Sequence, residues 1–196
     1  MDKQEIEAYL IELDEALVEA FPSPEPIRVL VVGGACLLLT DVTSRTTNDI
    51  DVIITDLEGT GEASLVYQLT KTTKRIRQII AAIGKRHQLP PKERMFFNDD
   101  CALFLQDMGP LPQARLFRAY RKLHLYLPVD LGYILACKLM AGRPGKDYDD
   151  IRVLRERLGI HTRDQMQGLV NGFFPDPYVQ QIHQLAETLT TLFSKE

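Results

Sequence analysis

The stretch Ile27-Arg-Val-Leu-Val-Val32, followed at once by Gly33-Gly34, constrains this chain more than any other. A short apolar, β-branched run of this kind reads as a buried strand. Pro22, Pro24 and Pro26 precede it. They stop an amphipathic helix over residues 2–21, marked by Ile6, Leu10, Leu13 and Leu17, and form a stiff linker. The two glycines turn the chain into a short helix over Ala35–Leu39. Glycines at such a turn let backbone approach a ligand closely, and a helix start offers free N–H groups to an anion. They equally serve a plain tight turn. No Gly-Lys-Ser/Thr follows and a third glycine is missing, so neither a Walker loop nor a dinucleotide fingerprint is present.

The next strand, Asp49–Thr55, holds the most informative side chains. Asp49 and Asp51 are two apart, so on a strand they share a face, with Cα atoms roughly 6.5–7 Å apart. Ile50, Val52, Ile53 and Ile54 mark the strand as buried. Two carboxylates at the edge of a buried strand repel each other and lose hydration. A hard divalent cation relieves both penalties, and Mg²⁺ in particular uses one or two carboxylates plus phosphate oxygens. The plain alternative is a strand end where both face water.

Beyond this strand the periodicity predicts a long helix through Leu65, Leu69, Thr72, Ile76, Ile79 and Ile83, with a basic outer face. A short helix over Asp99–Leu105 follows a loop at Asn98. Ala114–Tyr120 and Lys122–Leu127 read as a strand hairpin. Helices then cover Leu131–Ala141, Tyr148–Leu158 (N-capped by Asp147), Arg163–Val170 and Val179–Phe193, with a turn at Gly142–Gly145. Strands mixed with helices, and helices gathered at the ends, give an α/β (α+β) class. The organisation is an N-terminal helix and Pro-rich linker over 1–26, a core over 27–129 and a helical C-terminal region over 130–196.

Lys138 interrupts an apolar stripe formed by Leu131, Leu135 and Gly142. A lysine there snorkels out or meets an anion, either a phosphate or a carboxylate such as Asp147 or Asp150. Asp150 sits one turn into its helix, beside the favourable end of the dipole.

Charge is uneven although the net formal charge is only −4, which excludes a uniformly basic nucleic-acid binder. Residues 1–25 hold eight acids and one lysine. Residues 63–92 and 108–129 have no acid but carry Lys71, Lys74, Arg75, Arg77, Lys85, Arg86 and Lys92, then Arg115, Arg118, Arg121 and Lys122. These stretches suit an anionic partner or lie near the acidic helix. The three widely spaced cysteines, Cys36, Cys101 and Cys137, argue against a disulfide framework and fit a reducing cytoplasm. The acidic start lacks the pattern of a signal peptide, and the longest apolar run is too short for a membrane span. Four scattered histidines form no zinc motif.

A Gly-Gly turn after a strand, then Arg45-x-Thr47-x-Asp49-Ile-Asp51 on the next, resembles the nucleotidyltransferase superfamily (DNA polymerase β-like). The later block, Lys138 followed by Arg143 and Lys146-Asp147-Tyr-Asp-Asp150-Ile151, is similar to its bacterial minimal branch, including AbiEii-type toxins of toxin–antitoxin and phage-defence systems. The resemblance spans roughly residues 28–158 in separated blocks. It implies a nucleotidyltransferase-like small mixed sheet flanked by helices, and an enzyme moving a nucleoside monophosphate from an NTP such as ATP to a hydroxyl of a protein, an RNA or a small molecule. Asp49 and Asp51 would ligate Mg²⁺ or Mn²⁺, and Gly33 and Gly34 would line the triphosphate. Arg45 would meet a phosphate and Thr47 would fix the loop. Lys138 would serve catalysis and nucleotide binding, with Asp147 or Asp150 orienting it or touching the acceptor. Implied partners are the NTP, its acceptor, a toxin or antitoxin partner and a second copy of the chain, with no membrane. Active members carry a third carboxylate on a later strand. The strands over 115–120 and 122–127 hold none, leaving Asp99, Asp100, Asp107 and Asp130 as candidates outside them. That departure sustains an alternative: a catalytically degenerate antitoxin or regulatory binding protein on the same fold.

Overall fold

A computed structural model describes residues 1–57, 63–64, 71–145 and 147–194. Helix α1 (Lys3–Ala20) opens with a capping box: Asp2 accepts from the Gln4 and Glu5 amides, and the Glu5 carboxylate accepts from the Asp2 amide at 2.8 Å. Such a cap contributes on the order of 1 kcal/mol. Its buried face is the expected Ile6, Leu10, Leu13 and Leu17.

The glycine-turn strand is β1 (Ile27–Val31), and Val29, Leu30 and Val31 are all fully buried. Burial of successive residues means both faces are covered, as a central strand requires. After it come α2 (Gly33–Leu39), β2 (Ile50–Leu57), β3 (Ala63–Ser64), α3 (Lys71–Arg86), β4 (Phe97–Asn98), α4 (Cys101–Met108), β5 (Ala114–Ala119) and β6 (Leu123–Pro128). Helices α5 (Leu131–Ala141), α6 (Tyr148–Leu158), α7 (Arg163–Phe173), α8 (Pro177–Ile182) and α9 (Leu185–Phe193) complete the chain. The sheet order is β3-β2-β1-β6-β5, with β4 pairing β2. β1 runs antiparallel to β2 and parallel to β6, β5 and β6 form an antiparallel hairpin, and β4 runs parallel to β2. The result is the expected mixed sheet flanked by helices with a helical C-terminal part.

Several local expectations are corrected. The glycines belong to the first turn of α2 rather than preceding it. Asp49 lies just ahead of β2, not inside it. Asn98 sits on a strand rather than in a loop: two residues of parallel pairing with β2 carry no sequence period. The helix expected from Leu65 is described from Lys71, and residues 65–70 lie outside the described residues. The last expected helix is two, α8 and α9, because Gln184 adopts a left-handed conformation between them. Among the described residues no helix is long and apolar enough to cross a membrane.

The acidic α1 neutralises part of both basic stretches. Glu12 pairs with Arg86 and His87 of the first. Glu7 pairs with Arg118 of the second. Buried Asp14 accepts from the Arg121, Lys122 and Leu123 amides in the β5–β6 turn, at 3.2, 2.7 and 2.7 Å. These contacts favour an internal use of the charge asymmetry over an external one.

Candidate functional site

The β1–β2 register sets Asp51 beside the glycine turn. Val32 N–H donates to the Asp51 carbonyl at 2.9 Å, so the start of α2 lies against that residue. Gly33 has φ +63°, and a Cβ there would run into Asp51 Oδ2. Only glycine allows both the left-handed backbone and this approach. A Cβ at Gly34 would lie 3.1 Å from Thr47 Oγ1. That hydroxyl donates to the Asp49 carbonyl at 3.0 Å, tying the loop that leads into β2. On β4, Asn98 pairs in register with Asp51, and its Nδ2 donates to Asp51 Oδ1 at 3.4 Å.

A cavity of about 350 Å³ opens here. Gly33, Asp49, Asp51 and Asn98 line one side; Lys138, Ala141 and Arg143, from the end of α5, line another. Cys101, Phe104, Leu105, Ile134 and Cys137 make an apolar portion. Both aspartates therefore line one space, although Asp49 precedes β2 and the expected same-strand spacing does not apply to it. Among the described residues the Asp49 carboxylate makes no hydrogen bond or ion pair. Gly34, Arg45, Thr47, Asp147 and Asp150 are not on the cavity wall.

Those last two aspartates stand behind it. Lys138 is buried in α5, and its Nζ lies 2.8 Å from both Asp147 Oδ1 and Asp150 Oδ2. The stripe-interrupting lysine has thus met carboxylates. Arg45 reaches both oxygens of Asp150 through Nη2 at 2.7 Å, so it holds the loop to α6. Arg143 donates to Asp147 from its backbone N (3.3 Å), Nε (2.7 Å) and Nη2 (3.1 Å). Asp147 occupies the N-cap position of α6 but makes no side-chain cap bond there, because both its oxygens are engaged by these cations. This corrects the expected cap. Burial alone would raise the Asp147 pKa; hydrogen bonds from Arg143 and Lys138 outweigh it and hold the group below the usual carboxylate range. Lys146 of the same motif lies outside the described residues.

Among the described residues no candidate supplies a third carboxylate to the cavity. Asp99 is buried and paired with Arg77 at 2.7 Å, and Asp100 pairs with the same guanidinium at 3.2 Å. Asp130 accepts from Gly132 N at 2.7 Å as the cap of α5. The side chain of Asp107 lies outside the described residues. Asn98, a neutral amide, is what stands beside Asp51. The cavity thiols stay protonated near neutrality: burial pushes Cys137 up to about 12 and raises Cys101 further, the latter aided by Asp51.

Two oxygen-donor carboxylates on one side of the cavity fit a hard divalent cation that takes its other oxygens from phosphate and water. They do not make an all-protein cage: among the described residues no group of three or more His, Cys, Asp or Glu could hold a metal. Sequence reasoning missed Arg143 and Asn98 as wall residues. A basic residue directly after the helix-ending Gly142 was the available signal for the first; two residues of strand gave none for the second.

Residues 8–87 match a family model described as a nucleotidyltransferase of unknown function (DUF6036). The segment takes in most of α1, the glycine turn, Asp49, Asp51 and α3, and it agrees with the superfamily resemblance read from the sequence. It names no AbiEii-type branch and stops short of Lys138. No curated protein and no solved structure matches the chain.

Proposed function

We propose that the chain is an NTP-dependent nucleotidyltransferase, moving a nucleoside monophosphate to a hydroxyl of a protein, an RNA or a small molecule. The observation that carries this reading is the joint opening of Asp49 and Asp51 into one cavity, beside a glycine that only a missing Cβ keeps clear of Asp51. Charge accounts for the metal requirement. On and behind the far wall, Lys138, Arg143 and Arg45 exceed Asp147 and Asp150 by one positive charge; Asp49 and Asp51 turn the whole site net negative. A polyphosphate is repelled until a divalent ion reverses the sign.

Asp49 and Asp51 would hold Mg²⁺ or Mn²⁺, which when bound supplies charge stabilisation to the phosphates. Gly33 keeps the backbone low enough for the carboxylate to reach its position. Thr47 and the Arg45–Asp150 pair hold the loop that presents Asp49. Lys138 holds Asp147 and Asp150 together and lends positive potential to the cavity. The acceptor oxygen bonds to the α-phosphorus, the bond to the β-phosphate oxygen breaks, pyrophosphate leaves and the hydroxyl proton passes to water. The cavity's apolar portion is suited to the base or to the acceptor.

The test mixes the protein with α-labelled NTPs, Mg²⁺ or Mn²⁺ and cell extract. Metal-dependent labelling that disappears in Asp49→Ala/Asp51→Ala supports the reading; labelling that survives the double substitution, or none at all, refutes it. A second reading, a degenerate binding protein within a toxin–antitoxin or defence system, is favoured by the cavity having no third carboxylate among the described residues and a neutral amide, Asn98, beside Asp51. It expects NTP binding without transfer and co-purification with a partner.

A further inference from the structure

The cavity's two cations are held very differently. The Lys138 side chain is 6% exposed, and its ammonium lies between two carboxylates. The Arg143 side chain is 51% exposed on the same wall. Its attachment is one-sided. The backbone N, Nε and Nη2 all address Asp147, while among the described residues Nη1 makes no bond.

The backbone explains why the guanidinium sits there. α5 ends at Gly142, with φ +55°, whose N–H returns to the Lys138 carbonyl at 3.0 Å. A Cβ at Gly142 would collide with Thr188 Oγ1, so α9 fixes this corner. The next residue is Arg143, and its carbonyl accepts from Asp147 N at 3.0 Å. A fully buried carboxylate thus orients a half-exposed guanidinium along one edge and leaves its remaining N–H groups to the cavity. Arg143 lines the same cavity as Asp49 and Asp51. Guanidinium recognises phosphate through paired N–H groups, and one edge already fixed by a carboxylate lowers the entropy lost on binding.

We propose that Arg143 is the substrate-facing cation of this site: it binds a phosphate group of a nucleoside triphosphate whose metal is held by Asp49 and Asp51, while Lys138 keeps Asp147, the anchor of Arg143, in place. This rests on the nucleotidyltransferase reading. It assigns the anion-binding role to a residue outside the Arg45-x-Thr47 and Lys138 positions.

Isothermal titration of the full chain with inorganic tripolyphosphate, with and without Mg²⁺, tests it, followed by a non-hydrolysable ATP analogue. The wild type binds the Mg²⁺ complex, and Arg143→Ala weakens that binding about 10- to 100-fold. Arg143→Lys restores part of the loss, and both variants retain the stimulation by Mg²⁺. Asp49→Asn/Asp51→Asn loses that stimulation instead. Arg143→Gln, which keeps a donor toward Asp147, guards against misfolding: it matches the wild-type circular dichroism spectrum and shows the same weakening. Unchanged affinity in Arg143→Gln, alongside lost stimulation in the aspartate variant, overturns the role of Arg143 and leaves the metal reading intact. No binding of tripolyphosphate by the wild type, with or without Mg²⁺, overturns both.

Discussion

Asp49 and Asp51 open onto the cavity, whereas Asp147 and Asp150 stand behind its other wall, and the protein treats the two pairs in opposite ways. The second pair is almost fully buried and is answered by three cations at 2.7–2.8 Å. In the first pair, the Asn98 amide donates to Asp51 at 3.4 Å, and Asp49 has no hydrogen bond or ion pair among the described residues. Removing a carboxylate from water costs several kcal/mol, and a fold accepts that cost only where partners offset it. The buried pair therefore holds structure together: it joins the Arg45 loop, α5 and the start of α6. The open pair faces a cavity instead, where the proposed function would set a metal ion.

Substitutions separate these roles. Asp49→Ala/Asp51→Ala should lower metal-dependent nucleotide transfer on the order of a thousandfold. It should leave the urea midpoint unchanged or slightly higher, since like charges are removed. A large loss of stability would place the open pair in the same class as the buried one. Asp147→Ala should do the reverse, costing about 3–5 kcal/mol in urea unfolding, because Lys138 is left in the interior with one acid fewer. If it costs under about 1 kcal/mol, the buried network is not structural. Gly33→Ala should reduce transfer roughly a hundredfold, because a displaced Asp51 is mispositioned chemistry. It should also cost about 1–2 kcal/mol of stability from the left-handed backbone.

The smallest effect is in acid. The Asp147 pKa is depressed in the folded state, so its contribution is present above the ordinary carboxylate pKa of about 3.8 and is lost as pH falls through the lower folded value. Asp147→Asn should flatten stability against pH in that acid window and nowhere above it, as followed by circular dichroism. A matching change near neutral pH would contradict the pairing.

The comparison also shows what sequence can carry. α1, β1, α5 and α6 were legible because apolar spacing over one turn or one strand is local information. That Asp49 and Asp51 line one cavity was only partly legible, because Asp49 lies just ahead of β2 and the Thr47 hydroxyl ties its loop in place of strand pairing. The buried cluster was legible only in half. That Lys138 needs an anion follows from its apolar stripe, but that Arg45 would spend itself on Asp150 depends on a contact 105 residues apart. The cap expected of Asp147 failed for a related reason, since a side chain with two competing cations beside it leaves the helix amides unanswered. β4 was illegible because two residues show no period, although it sets Asn98 against Asp51.

The parallel pairing of β1 with β6 has a temporal side. Residues 27–31 take their place in the sheet beside residues 123–128, and the turn that precedes β6 is closed by Asp14. At about 5–20 residues per second of synthesis, roughly 5–20 s separate the emergence of these partners. Throughout that interval one edge of the most apolar strand has no neighbour. A nascent chain of this design is exposed to edge-to-edge misassociation until its second half arrives, and its yield in cells should respond to translation speed and to holding chaperones more than to the stability of the finished molecule.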